Sequence, residues 1–439
     1  MSFLGRVKKV LTYIGLGSGA SAAKALFSER FFELRLILTS RLAQISSRTR
    51  GYGFLIGPTN SANQATQWAR ALDRSQKKGE SALSLRIRSD PTKEWFAADL
   101  IRDINYRKQL ASRVALLHEL FSPKRNILIE SLTPLFSFRK GSQGFLPKFA
   151  VDDIILLSRM GKKVGVVFHG SDIRDPQKHA SRNPFSPFNP EGTSHAKAIN
   201  ELTERSALTR SLIPALRKRK IPLFVTTPDL FLEVSDAIWL PAVIDLPLFN
   251  EIAERNPIFV TPKLRVLYLP SNSWIKSSAL ILPVLEKLAS EGVIEYRNWI
   301  ENGPVTHNQI PKILAGSDVV VDQFIGATGV FALEAAAAGR VVLTYVDETH
   351  PTNPILPHVQ VTPKSLEAEL RRLSSERWRA TMRMQVPRNE SGNPILPMET
   401  VPIDVGIAAA KDFVEFYHSG NYSANVLREN FRVGTRKNA

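Results

Sequence analysis

Three features toward the C-terminal end could do chemistry: a glycine turn, an acid and a lysine. Gly326 and Gly329 stand just before the run VFALEAAAAG, with Thr328 between them. Glu334 lies one turn past the start of that run and Gly339 closes it. A helix start presents unpaired N–H groups and a positive dipole end, so it can hold a phosphate. A carboxylate in so apolar a run is costly to bury without partners, and ribose hydroxyls would be such partners. Lys276 follows an earlier apolar strand and would add a point charge to a diphosphate. A cation at a helix start sits unfavourably against the dipole, which favours a ligand role for it. Ser271 and Asn272 precede it and can donate to phosphate or sugar, or cap the helix. The pattern predicts a grip on a nucleotide diphosphate.

A second constellation is His169-Gly170-Ser171-Asp172, directly after the apolar run VGVVF. Ligands of parallel α/β sheets bind at the carboxyl ends of strands, where this tetrapeptide falls. His169 can hydrogen-bond a sugar hydroxyl. Asp172 can orient it or the loop, or cap the following helix. The chain has no Cys, no Asp-x-Asp, and eight His without HExxH spacing, so no metal is expected. The helix start and Lys276 would then stabilise a departing diphosphate.

Apolar runs without alternation, separated by helical stretches, predict a parallel α/β architecture. Strands are expected at 53–57, 82–87, 126–131, 163–168, 222–226 and 237–240. A helix is expected over 96–120 and another over 149–159. Residues 175–195 are rich in Pro, Asn and Ser and read as a long loop. The expected division is a basic extension over 1–50, a first Rossmann-like domain over 51–245 and a proline-interrupted linker over 246–263. A second Rossmann-like domain over 264–405 and closing helices over 406–439 follow.

The 265–346 block resembles the nucleotide-sugar half of the two-Rossmann-domain (GT-B) glycosyltransferases of the group 1, family 4-like type. Pro270-Ser271-Asn272 with Lys276 matches that family's Ser/Asn loop and lysine. Glu334 matches the second acid of its Glu-x7-Glu motif, and FHGSDIR (168–174) is similar to a segment of its other half. The resemblance covers the chain from about Tyr52 onward. It implies a cleft between two Rossmann-like domains, with the donor in the second and the acceptor in the first. It also implies His169 beside the transferred sugar, Thr59 and Asn60 facing the cleft, a last helix crossing back to the first domain, and retention of configuration. Two positions depart from the pattern. Eight residues before Glu334 stands Gly326 rather than an acid, with Asp322 and Gln323 nearby. Ser273 stands where an arginine often accompanies the lysine. Arg340 and His307 are the next candidates for holding the diphosphate.

The chain has 439 residues, 43% of them hydrophobic, enough for two cored domains. No apolar run is long enough to cross a bilayer, and zero Cys fits a cytoplasmic protein. The formal net charge is +17, and residues 1–50 alone carry +7. Phe3, Val7, Val10, Leu11 and Ile14 share one helical face there. This is the pattern of a peripheral contact with an anionic membrane, on its inner face for a cytoplasmic protein. An arm resting on its own domain is the alternative. A basic nucleic-acid-binding protein is a second alternative, suggested only by the charge; aromatics do not interleave with the basic runs, so no nucleic acid is expected. The function expected is metal-independent transfer of a sugar from a nucleotide diphosphate sugar, with no other cofactor, to a glycan or lipid-linked acceptor. A non-catalytic GT-B-like binding or scaffold protein is the rival reading.

Overall fold

The computed structural model describes residues 53–74, 81–88, 96–103, 125–135, 148–189, 195–298, 305–347, 354–376, 379–387 and 394–432. The basic extension over 1–50, with its expected amphipathic helix, lies outside them, as does most of the helix expected over 96–120.

The first sheet runs β3-β2-β1-β4-β5-β6-β7, all parallel. Its strands are β1 (Gly53–Gly57), β2 (Ser81–Arg88), β3 (Leu100–Asp103), β4 (Arg125–Glu130), β5 (Val164–Phe168), β6 (Leu223–Val225) and β7 (Ile238–Trp239). Both β1 and β5 are buried at every position, as strands covered on two faces must be. Strand order reverses between β1 and β4, the switch point where such sheets open a crevice. Helix α1 (Gln64–Arg74) buries Trp68, Ala69 and Leu72 on this sheet. Helix α2 (Lys148–Arg159) brings Ile154 and Leu157 into a second apolar cluster of the same half.

One strand departs from expectation. Leu100–Asp103 lies in the stretch expected to be helical, yet it pairs in parallel with 85–88. Short apolar runs suit either period, and here pairing along the edge of β2 decides the outcome.

The second sheet runs β12-β11-β10-β8-β9, again parallel. It holds β8 (Leu264–Tyr268), β9 (Ile294–Tyr296), β10 (Val319–Val321), β11 (Val341–Thr344) and β12 (Val359–Gln360). Its switch point lies between β8 and β10. An antiparallel hairpin that the apolar pattern does not announce, β13 (Thr381–Pro387) with β14 (Pro394–Pro402), follows.

Helices α3 (Pro176–Arg182) and α4 (Ala196–Lys218) follow β5. Helix α3 falls inside the segment expected to be a loop. Asp175 caps it, accepting from the amides of Gln177 (3.0 Å) and Lys178 (3.2 Å). Within the stretch read as a linker, Leu246–Arg255 forms α5, and Leu246, Phe249 and Ile252 recur along one face and enter the second half's core. Helices α6 (Ser278–Ser290), α7 (Ile310–Ala315), α8 (Val330–Ala337) and α9 (Leu366–Glu376) belong to that half.

Helix α10 (Ile403–His418) packs beside α8, and α11 (Asn421–Arg432) returns to the first half. Phe431 of α11 packs on Phe54 and Phe224, and a side chain at Gly165 would meet its ring at 2.8 Å. Two parallel sheets with separate cores and a returning last helix make the two-Rossmann, GT-B-like architecture.

Candidate functional site

The switch point of the first sheet is organised by Glu130, the last residue of β4, which is fully enclosed. The amides of Thr59 and Asn60 donate to its Oε2 at 2.8 and 2.7 Å, and the amide of Ser61 to its Oε1 at 3.3 Å. His169 Nε2 lies 3.0 Å from the same Oε1. An ionised carboxylate can only accept, so the ring donates through Nε2. Burying a carboxylate costs free energy unless it is partnered, and this one has four donors. The loop after β1 reaches it because Gly57 passes close to β2: an added Cβ would sit 2.4 Å from the Leu85 carbonyl oxygen. Asn60 is buried in a left-handed turn, and its Oδ1 accepts from the Thr66 amide at 3.1 Å.

Behind His169, the buried Trp68 stacks on the ring with 5.8 Å between centroids. Burial works against the charged ring, but the hydrogen bond and charge of Glu130, with the charge of Asp172, outweigh it and hold the pKa above its ordinary value. Asp172 is occupied by its own turn. It accepts from the amides of His169 and Gly170 and from the Ser131 hydroxyl, the last at 2.6 Å. It therefore positions His169 through the backbone.

The second switch point gathers Lys276, Asp322 and Gly329. Lys276 follows β8 in a turn tied by Asn272, whose carbonyl accepts from the Lys276 amide at 3.0 Å. Ser271 and Asn272 are themselves exposed. Lys276 Nζ lies 2.9 Å from Asp322 Oδ1, and the Gly329 amide donates to Oδ2 at 2.8 Å. A Cβ at Gly329 would meet Lys276 Nζ at 2.7 Å, so glycine there lets the ammonium lie against the start of α8. Gln323 serves the turn: its Nε2 donates to the Ala327 carbonyl at 2.6 Å. Gly326 takes a left-handed φ of 89°, and its carbonyl accepts from the Asp347 amide. Thr328 is half-buried.

Glu334 is buried inside α8, with His307 Nε2 2.7 Å from its Oε1. The hydrogen bond to Glu334 raises the His307 pKa, with burial opposing. The His307 ring meets Phe96 of the first half edge to face, 5.3 Å between centroids. The neighbouring Ala97 carbonyl accepts from Asn60 Nδ2 at 3.1 Å. Glu130, Asn60, Phe96, His307 and Glu334 thus form a continuous line from one switch point to the other.

Helix α3 makes a second bridge. His179 Nε2 donates to the Ile325 carbonyl at 2.8 Å, and Asn183 Nδ2 to the Phe324 carbonyl at 2.9 Å. Beside it, a cavity of about 70 Å³ opens between Arg174, Asp229, Glu233 and Thr328.

The structure therefore brings together Thr59, Asn60, His169 and Asp172 in one half, and Lys276, Asp322 and Gly329 in the other, with Glu334 further along α8 paired to His307. Arg340 is not among them: it precedes β11, at the opposite end of the sheet from Lys276, and burial pulls its pKa down to about 10. Glu130, Trp68 and Phe96 escape sequence reasoning. The only sign of Glu130 is an acid closing the apolar run ILIE. Among the described residues no group of three His, Asp or Glu could hold a metal ion. No described helix is long and apolar enough to cross a membrane.

No protein-family model and no curated protein sequence matches the chain. Among solved structures it is similar to HepE of Anabaena in complex with UDP and glucose, with a TM-score of 0.43 and 10% identity over 87% of this chain and 99% of that one. A putative UDP-N-acetylglucosamine 2-epimerase from Listeria monocytogenes gives a TM-score of 0.44 and 10% identity, covering 88% of this chain and 97% of its own. The wall teichoic acid polymerase TagF gives 0.37 and 9%, covering 99% of this chain and 100% of its own. Likenesses this remote assign no residue of the site, whose chemistry rests on its own geometry.

Proposed function

We propose that the protein is a glycosyltransferase that moves a sugar from a nucleotide diphosphate sugar to a hydroxyl of a glycan or lipid-linked acceptor, without a metal ion. The observation that carries this reading is the joining of two strand-end sites. One offers an ammonium, a helix start and a buried carboxylate; the other offers a histidine backed by a buried acid. The amides at the start of α8 and Lys276 take the diphosphate, and Glu334 takes the ribose hydroxyls. The same groups stabilise the charge that develops as the diphosphate departs, which is the work a metal would otherwise do. For the stereochemistry, the resemblance implies retention of configuration.

The test is a thermal-shift screen of the full chain against UDP, GDP, ADP and dTDP. A nucleotide at about 100 times its dissociation constant stabilises by about 2.7 kcal/mol. The matching nucleotide sugars are then assayed for transfer and hydrolysis in excess EDTA. No stabilisation by any nucleotide sinks the reading, and activity that needs Mg²⁺ or Mn²⁺ sinks its metal-free form. Stabilisation without turnover favours the rival, a GT-B-like binding protein. That rival draws support from Lys276 and Glu334, both of which already have protein partners.

The basic segment over 1–50 adds a peripheral contact with anionic lipid to this reading, each basic residue near such a surface contributing about 1 kcal/mol. Vesicle sedimentation with and without residues 1–50 tests it. Equal pelleting of the two forms removes the membrane role.

A further inference from the structure

We propose that Glu130 and His169 form an acid–base pair in which His169 takes the proton of the acceptor hydroxyl during transfer, so that the anomeric configuration is inverted. The inference rests on the glycosyltransferase reading and departs from the retention that the resemblance implies.

The hydrogen bond to Glu130 decides which nitrogen can react. With the proton on Nε2, the neutral ring presents a lone pair at Nδ1. Nδ1 has no hydrogen-bond partner among the described residues and is not among their enclosed, unpartnered polar atoms. The side chain as a whole is 15% exposed, whereas Glu130 is closed off behind it. The orientation is fixed from three sides. Trp68 stacks nearly parallel to the ring, at 15°, and is itself anchored by its Nε1 donating to the Pro241 carbonyl at 3.0 Å. Asp172 holds the His169 amide. The loop amides hold Glu130.

The charged groups acting on the ring are Glu130 from β4 and Asp172 from its own turn, and α1 presents the neutral Trp68. Both charges favour the imidazolium, which is the product of proton transfer.

The step balances without a further reagent. The acceptor oxygen forms a bond to the anomeric carbon while its proton passes to His169 Nδ1. The bond from that carbon to the diphosphate oxygen breaks, and its electron pair leaves with the diphosphate. Lys276 and the α8 amides take up that charge. His169 returns its proton to solvent. The base belongs to the first half and the leaving-group site to the second. A base that removes the acceptor's proton serves attack from the side opposite the departing group, out of that group's reach, and a single displacement of that kind inverts. Retention by same-side attack would send the proton to the leaving phosphate and need no base.

The test uses the full chain and the nucleotide sugar matching the best nucleotide of the screen. Proton NMR of the first product formed reads its anomeric configuration. Inversion is expected; a retained product overturns the inference and leaves the glycosyltransferase reading standing. His169→Gln is expected to lower kcat at least about 100-fold, within the span of general-base catalysis, with donor KM little changed. A loss of about threefold or less overturns the inference. Glu130→Gln is expected to move the limb of kcat/KM against pH to lower pH, which a purely structural role would not do. An unmoved limb overturns the positioning role of Glu130. Should that variant not fold, as judged by nucleotide-induced stabilisation, Glu130→Asp, which keeps the charge but withdraws it from Nε2, is expected to move the limb the same way by less, and an unmoved limb there overturns the role as well. A wild-type chain that neither transfers nor hydrolyses any sugar overturns the reading and the inference together.

Discussion

Lys276 Nζ and Asp322 Oδ1 lie 2.9 Å apart at the carboxyl ends of two neighbouring strands, and the Gly329 amide holds the other Asp322 oxygen. The acid keeps ammonium and helix start aimed at one point. It is 1% exposed and the lysine 16%, so the pair is desolvated. Lys276→Met is expected to lower turnover at least about tenfold, about 1.4 kcal/mol of transition-state stabilisation. It should also cost about 3 kcal/mol of stability, because Asp322 is left buried without its counter-charge. Adding Asp322→Asn should restore the stability and not the turnover. Melting and donor hydrolysis of both variants check this. A fully active Lys276→Met would show that other groups hold the diphosphate.

Gly329 offers a finer probe of the same point. Its φ is −86°, a conformation open to alanine. The new methyl would meet Lys276 Nζ at 2.7 Å, and the tip of a flexible side chain can move aside. The methyl also meets the buried Asp322 oxygens at 3.2 and 3.3 Å, so Gly329→Ala should cost stability, but less than the loss of about 3 kcal/mol in Lys276→Met, because the ammonium is displaced and not removed. It should weaken binding of the best nucleotide, read by calorimetry, as the ammonium leaves the start of α8. Unchanged affinity would separate Lys276 from the nucleotide site.

Much of this was legible because parallel α/β chains advertise themselves locally. The runs GFLIG and VGVVF are buried at every position, and their composition says so. The meeting of Lys276 with the helix start at Gly329 is legible because each follows a strand end of one parallel sheet, where such loops converge. Glu130 was not, because its partners arrive from residues 70 and 39 positions away in the chain, and no local pattern encodes them. Leu246–Arg255 was obscured by Pro247, which marks a break inside a helix but is tolerated in its first turn. Helix α3 was obscured because its docking uses His179 and Asn183, polar residues that read as loop until the Ile325 and Phe324 carbonyls are known to face them.

Glu334→Ala should lower affinity for the best nucleotide at least about tenfold, about 1.4 kcal/mol. His307 makes a pH signature available. Its folded pKa is raised, chiefly by the hydrogen bond to Glu334. The stability this pair contributes is therefore present below the unfolded value of 6.5 and is lost as pH rises through the higher folded value. Chemical denaturation of wild type and Glu334→Ala across that range should show a stability gap that narrows as pH rises. A gap that widens would mean that Glu334 is stabilised by something other than the charged ring.

His418 works in the opposite sense and gives the last prediction. It ends α10, where the closing helices meet the connection between the halves. Its Nδ1 lies 2.6 Å from the Ala242 carbonyl oxygen, and its own carbonyl accepts from the Ile244 amide. Burial lowers its pKa to about 4, and the bond to Ala242, which favours the charged ring, does not offset that. Between 6.5 and about 4 the unfolded chain takes up a proton that the folded chain refuses, so stability falls as pH drops through this window. Over about 1.5 pH units of it, the loss from this one group is about 2 kcal/mol. Asparagine can keep a hydrogen bond to Ala242 without titrating. His418→Asn should therefore lose about 2 kcal/mol less than wild type on going from about pH 7 to about pH 5, measured by chemical denaturation. His179, lowered to about 4 by burial and by Arg174, remains in both forms and sets the residual acid sensitivity. Equal acid losses in the two proteins would show that His418 is protonated in the folded chain and that the junction is wetter than its enclosure implies.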